Sequence, residues 1–347
     1  MTDDFKEVLL FFPEPIRSAL RVVLHNNHGK LEEIRLRVRR PLAVGIEGKD
    51  YYVSKDGKIN TSSPMIITKS QIESAKQLLF NYSYYSVEEE LKNGFVTVKG
   101  GHRVGVIGKA VMQKGEIKTL KEISGLNFRI ARQVSNLASK VMPYVFESGS
   151  FLNTMIISPP NCGKTTLLRD MVRSLSDDFK FKVGVVDERS EIAACYQGQP
   201  QLDVGNRTDV LDGCPKDEGM TLMIRSMSPD IIATDELGRE QDVVGVEHAI
   251  TCGVGLLTTV HGLNLKDLMD KRWVKEVLDL DYFKRLIILS RTNGVGTVEE
   301  IIDLRTSKKL TGGVKNVKGY GGGSFNSGNN KLRVSKGPKI TTTYYSS

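Results

Sequence analysis

The sequence predicts an α/β protein in two parts: a smaller α+β amino-terminal domain over residues 1–148, then a domain over 149–306 whose mostly parallel sheet is flanked by helices. Three observations carry that reading. From Phe151 onward, apolar runs of strand length alternate with helical segments, the order that crossovers in a parallel sheet require. Before that point, short helical and strand-like stretches mix without alternation. Residues 307–347, rich in Gly, Ser, Asn and Lys, hold too little apolar surface to fold alone and are expected to form a disordered tail.

In the first domain, EIRLRVRRPLAVGIEG (33–48) alternates apolar and basic residues with period two up to Pro41, as a strand and turn do. KSQIESAKQLLF (69–80) has helical spacing. FVTVKGGHRVGVIGKAV (95–111) predicts two strands about a Gly-Gly turn. ISGLNFRIARQVSNLASKVM (123–142) is a candidate helix limited by Pro143. The apolar LLFFP near the amino terminus is expected to pack on a neighbouring domain or partner. In the second domain the predicted strands are NTMIIS, KVGVVD, PDIIATDE, GLLTTVH and RLIILSR, with helices TTLLRDMVRSL, GMTLMIRSM, DVVGVEHAIT and LKDLMDKRW between them. VGTVEEIIDLR (295–305) reads as a closing strand or hairpin.

Composition is that of an ordinary globular chain, with 39% hydrophobic and 26% charged residues. The longest apolar runs are strand-sized, below the ~20 residues of a membrane span, and the acidic start MTDDF does not read as a secretory signal. Four cysteines without CxxC or Cys/His spacing argue against zinc and disulfides and fit a reducing cytoplasm. The net charge of +8 resides in the tail, where eight Lys or Arg meet no acidic residue, so residues 1–306 are formally neutral. Solvation alone accounts for such a tail; an electrostatic contact with anionic lipid or nucleic acid is the alternative.

TMIISPPNCGKTT (154–166) joins a predicted strand to a predicted helix and approaches the phosphate-binding loop G-x-x-x-x-G-K-[ST], with Ser158 at the first glycine position. Such a loop wraps phosphates with backbone N–H groups at a helix amino terminus. Ser158, Pro159, Pro160, Asn161, Cys162, Gly163, Lys164, Thr165 and Thr166 are the candidate nucleotide contacts. Lys164 is placed to reach the β and γ phosphates, and Thr165 to hold Mg²⁺. If the Ser158 position needs left-handed angles, serine costs about 1–2 kcal/mol there, which predicts a weakened loop. Asn161 tolerates such angles better. Cys162, inside the loop, is expected to be protected from alkylation by nucleotide.

Seventy residues on, IIATDE (231–236) ends an apolar strand in two carboxylates. Asp235 is the candidate Mg²⁺ ligand, and Glu236 the group that orients or deprotonates the attacking water. VVDERSEI (185–192) brings Asp187, Glu188, Arg189 and Glu191 to another strand end, and GLLTTVH ends in His261, read as a sensor of the γ-phosphate. His248 is read as structural. Arg225, Arg239 and Arg207 are candidates for offsetting transition-state charge.

The order SPPNCGKTT, VVDERSE, IRSMSPDIIATDELGR, TTVHG resembles the type II and type IV secretion ATPases, which carry a Walker A loop, an acidic box, a Walker B strand and a histidine box in that order. The resemblance implies a RecA-like P-loop ATPase domain, Arg225 and Arg239 as the family's arginines, and an amino-terminal domain that closes over the nucleotide through Arg103 and, less directly, Arg40. VVDERSEIAACYQGQPQLDVGNRTDVLDGCPKDEGM resembles a sporulation-specific branch of that family, a likeness covering residues 10 to 306. It implies ATP and Mg²⁺ as cofactors, a homo-oligomeric ring of hexameric type, and a cytoplasmic position at the mother-cell side of the forespore membrane. There the partners would be membrane-embedded channel or secretion-like components, with no specific nucleic acid. Two alternatives stay open: a non-hydrolysing, nucleotide-locked ring scaffold, and a nucleic-acid-stimulated ATPase using the basic tail.

Overall fold

A computed structural model describes residues 7–27, 29–80, 91, 94–270, 272–279 and 281–312. The amino-terminal part holds helices α1 (Ile16–Asn26) and α2 (Lys69–Leu79) and strands β1 (Leu31–Arg37), β2 (Ala43–Ile46), β3 (Lys49–Tyr52), β4 (Phe95–Val98), β5 (His102–Gln113) and β6 (Glu116–Arg129). They form one antiparallel sheet in the order β3-β2-β1-β6-β5-β4. Thr68 caps α2 by accepting from the Gln71 N–H while the Gln71 side chain accepts from the Thr68 N–H, which satisfies two otherwise open donors. The alternating side chains Ile34 and Leu36 of β1 and Leu126 and Phe128 of β6 face the apolar sides of both helices in one core.

Two expectations change here. Residues 123–129 of the expected helix 123–142 are the end of strand β6, because Leu126, Phe128 and Ile130 alternate inward and the backbone pairs with β1 on one side and β5 on the other. Two adjacent ladders outweigh a helical spacing that is only local. The LLFFP segment packs inside this domain's own core, with Leu9 and Phe12 buried and the Phe12 ring 4.4 Å from that of Phe128.

A short hairpin, β7 (Phe146–Glu147) and β8 (Ser150–Phe151), leads into the second part. Its strands are β9 (Thr154–Ser158), β10 (Val183–Asp187), β11 (Thr208–Asp212), β12 (Ile231–Thr234), β13 (Gly255–His261), β14 (Arg285–Ser290), β15 (Thr297–Asp303) and β16 (Lys308–Gly312). Its helices are α3 (Lys164–Asp177), α4 (Lys216–Met227), α5 (Asp242–Thr251), α6 (Leu265–Met269) and α7 (Arg272–Asp279). The sheet order is β11-β10-β12-β13-β9-β14-β15-β16, parallel from β11 to β14 and antiparallel at β15 and β16. Ile156 faces the α3 side while Met155 and Ile157 face α4 to α7, so each fully buried strand feeds both cores. The sheet runs past residue 306: Lys308–Gly312, expected in the tail, forms the edge strand β16, and Lys309 pairs with Glu300 at 2.5 Å. The rest of the expected tail lies outside the described residues.

Candidate nucleotide site

Because β9, β10, β12 and β13 are parallel, their carboxyl ends share one edge, and the loops leaving them carry the predicted residues. Ser158 ends β9 beside His261 of β13, fully buried, and its Oγ donates to the Pro159 carbonyl at 2.7 Å. It is ordinary strand backbone. The left-handed angles fall at Asn161 (φ 58°) and Gly163 (φ 89°), so the strain expected of Ser158 does not arise and asparagine takes the conformation glycine would favour. A Cβ on Gly163 would stand 2.9 Å from the Val295 side chain and 3.2 Å from the Gly296 N–H. The Gly296 N–H in turn donates to the Cys162 carbonyl, so the β14–β15 turn backs the loop. Cys162 is buried, which slows the alkylation expected of it whether or not nucleotide is bound.

Lys164, the first residue of α3, is 5% exposed. Its ammonium donates to His261 Nδ1 at 2.8 Å and lies 3.8 Å from Glu236 Oε1. His261 Nε2 meets the same Glu236 oxygen at 2.7 Å. An ammonium only donates, so Nδ1 accepts and the ring proton sits on Nε2, donating to Glu236. Glu236 itself has φ 32°, with its N–H bonded to Thr259 Oγ1, a strained backbone of the kind that collects at functional sites.

Asp235 is 2% exposed, and its Oδ1 has no hydrogen-bond partner. Burial, reinforced by Asp187, Glu191 and Glu236 and opposed by Lys216, pushes its carboxyl up to about 7. A buried carboxylate oxygen without a hydrogen bond, with several like charges about it and only the Lys216 ammonium 3.7 Å away to offset them, fits a divalent cation. Thr165 lines a cleft of about 590 Å³ between the two domains, shared with Thr166, Glu191, Arg103 and Arg129.

The acidic loop is built from its own backbone. Asp187 is fully buried and accepts from the N–H groups of Glu191, Ile192 and Ala193 at 2.7, 3.0 and 2.8 Å, so it shapes the loop and does not face the cleft. Arg169 of α3, lowered to about 10 by burial, clasps the same loop through the carbonyls of Ile192 and Glu191. Arg103 reaches across from β5, meeting Glu191 at 2.9 Å and the Arg189 carbonyl while stacking on Phe95. Arg40 is exposed and lines neither this cleft nor its neighbour.

Sequence reasoning missed Lys216. It is 5% exposed at the first position of α4, a helix end that disfavours cations. It bonds Glu188 and lies 3.7 Å from Asp235 Oδ1, while Arg239 pairs with Glu188 at 3.2 Å. Burial opposes the charge on Glu188, yet Lys216 and Arg239 hold its carboxyl below the usual range. The one available signal was a lysine beside Pro215 where acidic residues are preferred. Lys216, Asp235, Glu236, Arg239, His261 and Trp273 line a second cleft of about 380 Å³.

Arg225 and Arg207 are not brought together with these groups. Arg225 is exposed near the carboxyl end of α4, and Arg207 precedes β11, its carbonyl accepting from Val183 at the start of β10. Both stand at the opposite edge of the sheet, since a helix returning between parallel strands runs antiparallel to them.

The fold is that of the secretion ATPases. The Legionella pneumophila ATPase DotB superposes with a TM-score of 0.51 at 14% identity over 79% of this chain and 74% of that one. The pilus retraction motor PilT, solved with ADP, gives 0.52 at 15% identity over 79% and 76%. The stage III sporulation protein AA of Bacillus subtilis (strain 168) is 42% identical over 86% of this chain and 94% of its own length. A family model described as "Sporulation stage III, protein AA" matches residues 6–309. The chain therefore belongs to the sporulation stage III, protein AA family.

Proposed function

We propose that this protein is a Mg-dependent ATPase whose turnover drives a ring of subunits at the cytoplasmic face of a sporulation membrane complex. The observation that carries the reading is the convergence of Lys164, Glu236 and His261 within 3.8 Å of one another, with the Asp235 Oδ1 that accepts no hydrogen bond on the adjoining residue. Glu236 is the water-orienting base, held by the His261 Nε2–H. Lys164 is the phosphate ligand, and His261, touching both, registers whether a γ-phosphate has drawn Lys164 away. Asp235 would hold Mg²⁺, with Thr165 its second ligand by the motif although Thr165 lines the other cleft, and the ion would supply positive charge to the phosphates. Arg103 couples the amino-terminal domain to the acidic loop, so movement at Glu191 is felt across the interdomain cleft. Arg239, 60% exposed, and Arg225, also exposed, would act on a neighbouring subunit.

DotB is an ATPase and PilT a pilus retraction motor, and both support this reading by fold alone. No helix among the described residues is long and apolar enough to cross a membrane, in keeping with attachment through partners. The scaffold alternative rested on Ser158, which is unstrained. Calorimetric ATP titration with and without Mg²⁺ tests the site: binding should be strengthened by Mg²⁺ and lost in Lys164→Ala. Equal affinity in that variant would overturn the placement.

A further inference from the structure

Strands β5 and β6 continue past the rest of their sheet. The pairing of β4 ends at Gly105 and that of β1 at Gly125, so among the described strands residues 107–122 form a two-stranded ribbon, with Leu120 at its base packed on the domain core. Its apex is a two-residue turn, Lys114 (φ 51°) and Gly115 (φ 85°), and nothing lies within 4 Å of the Cβ position of Gly115. A lysine in the first left-handed turn position, where asparagine, aspartate or glycine is favoured, is a local cost that folding does not require.

The register sorts the side chains. Ala110 opposite Leu120 and Met112 opposite Ile117 share one face. Met112 is 57% and Ile117 41% exposed, although both are large and apolar. The other face and the rim carry Lys109 opposite Lys121, with Lys114 at the apex and Lys118 in the bulge, all exposed. Against these four lysines stand Glu116 and Glu122, so the ribbon is net basic, as is the amino-terminal domain that carries it.

We propose that the Met112/Ile117 face of this ribbon docks on an anionic lipid bilayer. The apolar pair enters the headgroup boundary, and the lysines extend back to the lipid phosphates while their methylenes cover apolar surface. Each lysine near an anionic surface adds an attraction that salt removes, while the apolar insertion survives salt. The ribbon then sets the distance between the membrane and the interdomain cleft, since β5 also carries Arg103.

The test uses the full chain with vesicles of phosphatidylcholine alone or with 30 mol% phosphatidylglycerol. The wild-type chain is expected to co-sediment with the anionic vesicles and to stay partly bound in 0.5 M KCl. Met112→Ser/Ile117→Ser, which keeps every lysine here and in the tail, should weaken the high-salt binding roughly tenfold or more. In Ile117→Trp, bromine on the lipid acyl chains should quench the added indole, with Trp273 of the wild-type chain as background. ATP turnover and urea unfolding of the double variant should match wild type. Equal high-salt binding by the double variant, or no quenching, overturns the proposal and leaves the tail as the lipid contact. Loss of self-association in the double variant without loss of lipid binding overturns it too and makes the face a contact between copies.

Discussion

Asp235 sets function against stability. Its folded carboxyl titrates at about 7, against 3.8 in an unfolded chain, because burial and its acidic neighbours resist the charge. A raised carboxyl stabilises the fold at a pH below 3.8, and that contribution is lost as pH rises through 7. The full gap of about 3 units is worth about 4 kcal/mol at pH 8. At pH 5 only the part between 3.8 and 5 has been lost, somewhat under half of that. Asp235→Asn removes the titration while keeping the shape. In chelator, the variant should therefore gain stability relative to wild type by roughly 3 kcal/mol on going from pH 5 to pH 8. Urea denaturation followed by circular dichroism at the two pH values measures the difference, and millimolar Mg²⁺ should narrow it for wild type alone. A variant that is destabilised equally at both pH values would refute the reasoning, because Asp235 would then be an ordinary paired carboxylate.

Lys216→Met should cost about 3 kcal/mol, the low end for breaking a buried ion pair, since Glu188 retains some solvent contact; adding Glu188→Gln should recover part of it in urea unfolding, and additive losses would show no coupling. Gly163→Ala should destabilise by about 1–2 kcal/mol through its left-handed backbone and abolish ATP binding by calorimetry. Ser158→Gly should instead lose about 0.5–1 kcal/mol in thermal unfolding with no gain in ATP affinity, because Ser158 lies in a strand; a gain in affinity would restore the weakened-loop reading.

The second domain was legible because its strands are buried on both faces and its helices are delimited: Asp242–Thr251 coincides with the segment DVVGVEHAIT. The strand ends could be read as one edge since parallel order follows from alternation. The first domain was less legible. Residues 123–129 carry both helical spacing and alternation, and the choice is made by pairing with β5 and with β1, the latter some ninety residues away in sequence. Lys216 was illegible for a related reason: its partners Glu188 and Asp235 lie 28 and 19 residues away on other strands, and only the sheet order brings them together. The strain assigned to Ser158 came from aligning a motif by position, whereas the chain takes its left-handed angles at Asn161 and Gly163. The sequence places Arg225 beside the Walker B strand, but the helix direction puts it at the far edge.

The most direct test of the central claim is Mg-dependent ATP turnover by the full-length protein beside Glu236→Gln. The glutamine keeps the shape of Glu236 and can still accept from the His261 Nε2–H, but it cannot take a proton from water. The account predicts turnover that requires Mg²⁺ in wild type and is lost in Glu236→Gln while ATP binding persists. Turnover that continues undiminished in Glu236→Gln would contradict it.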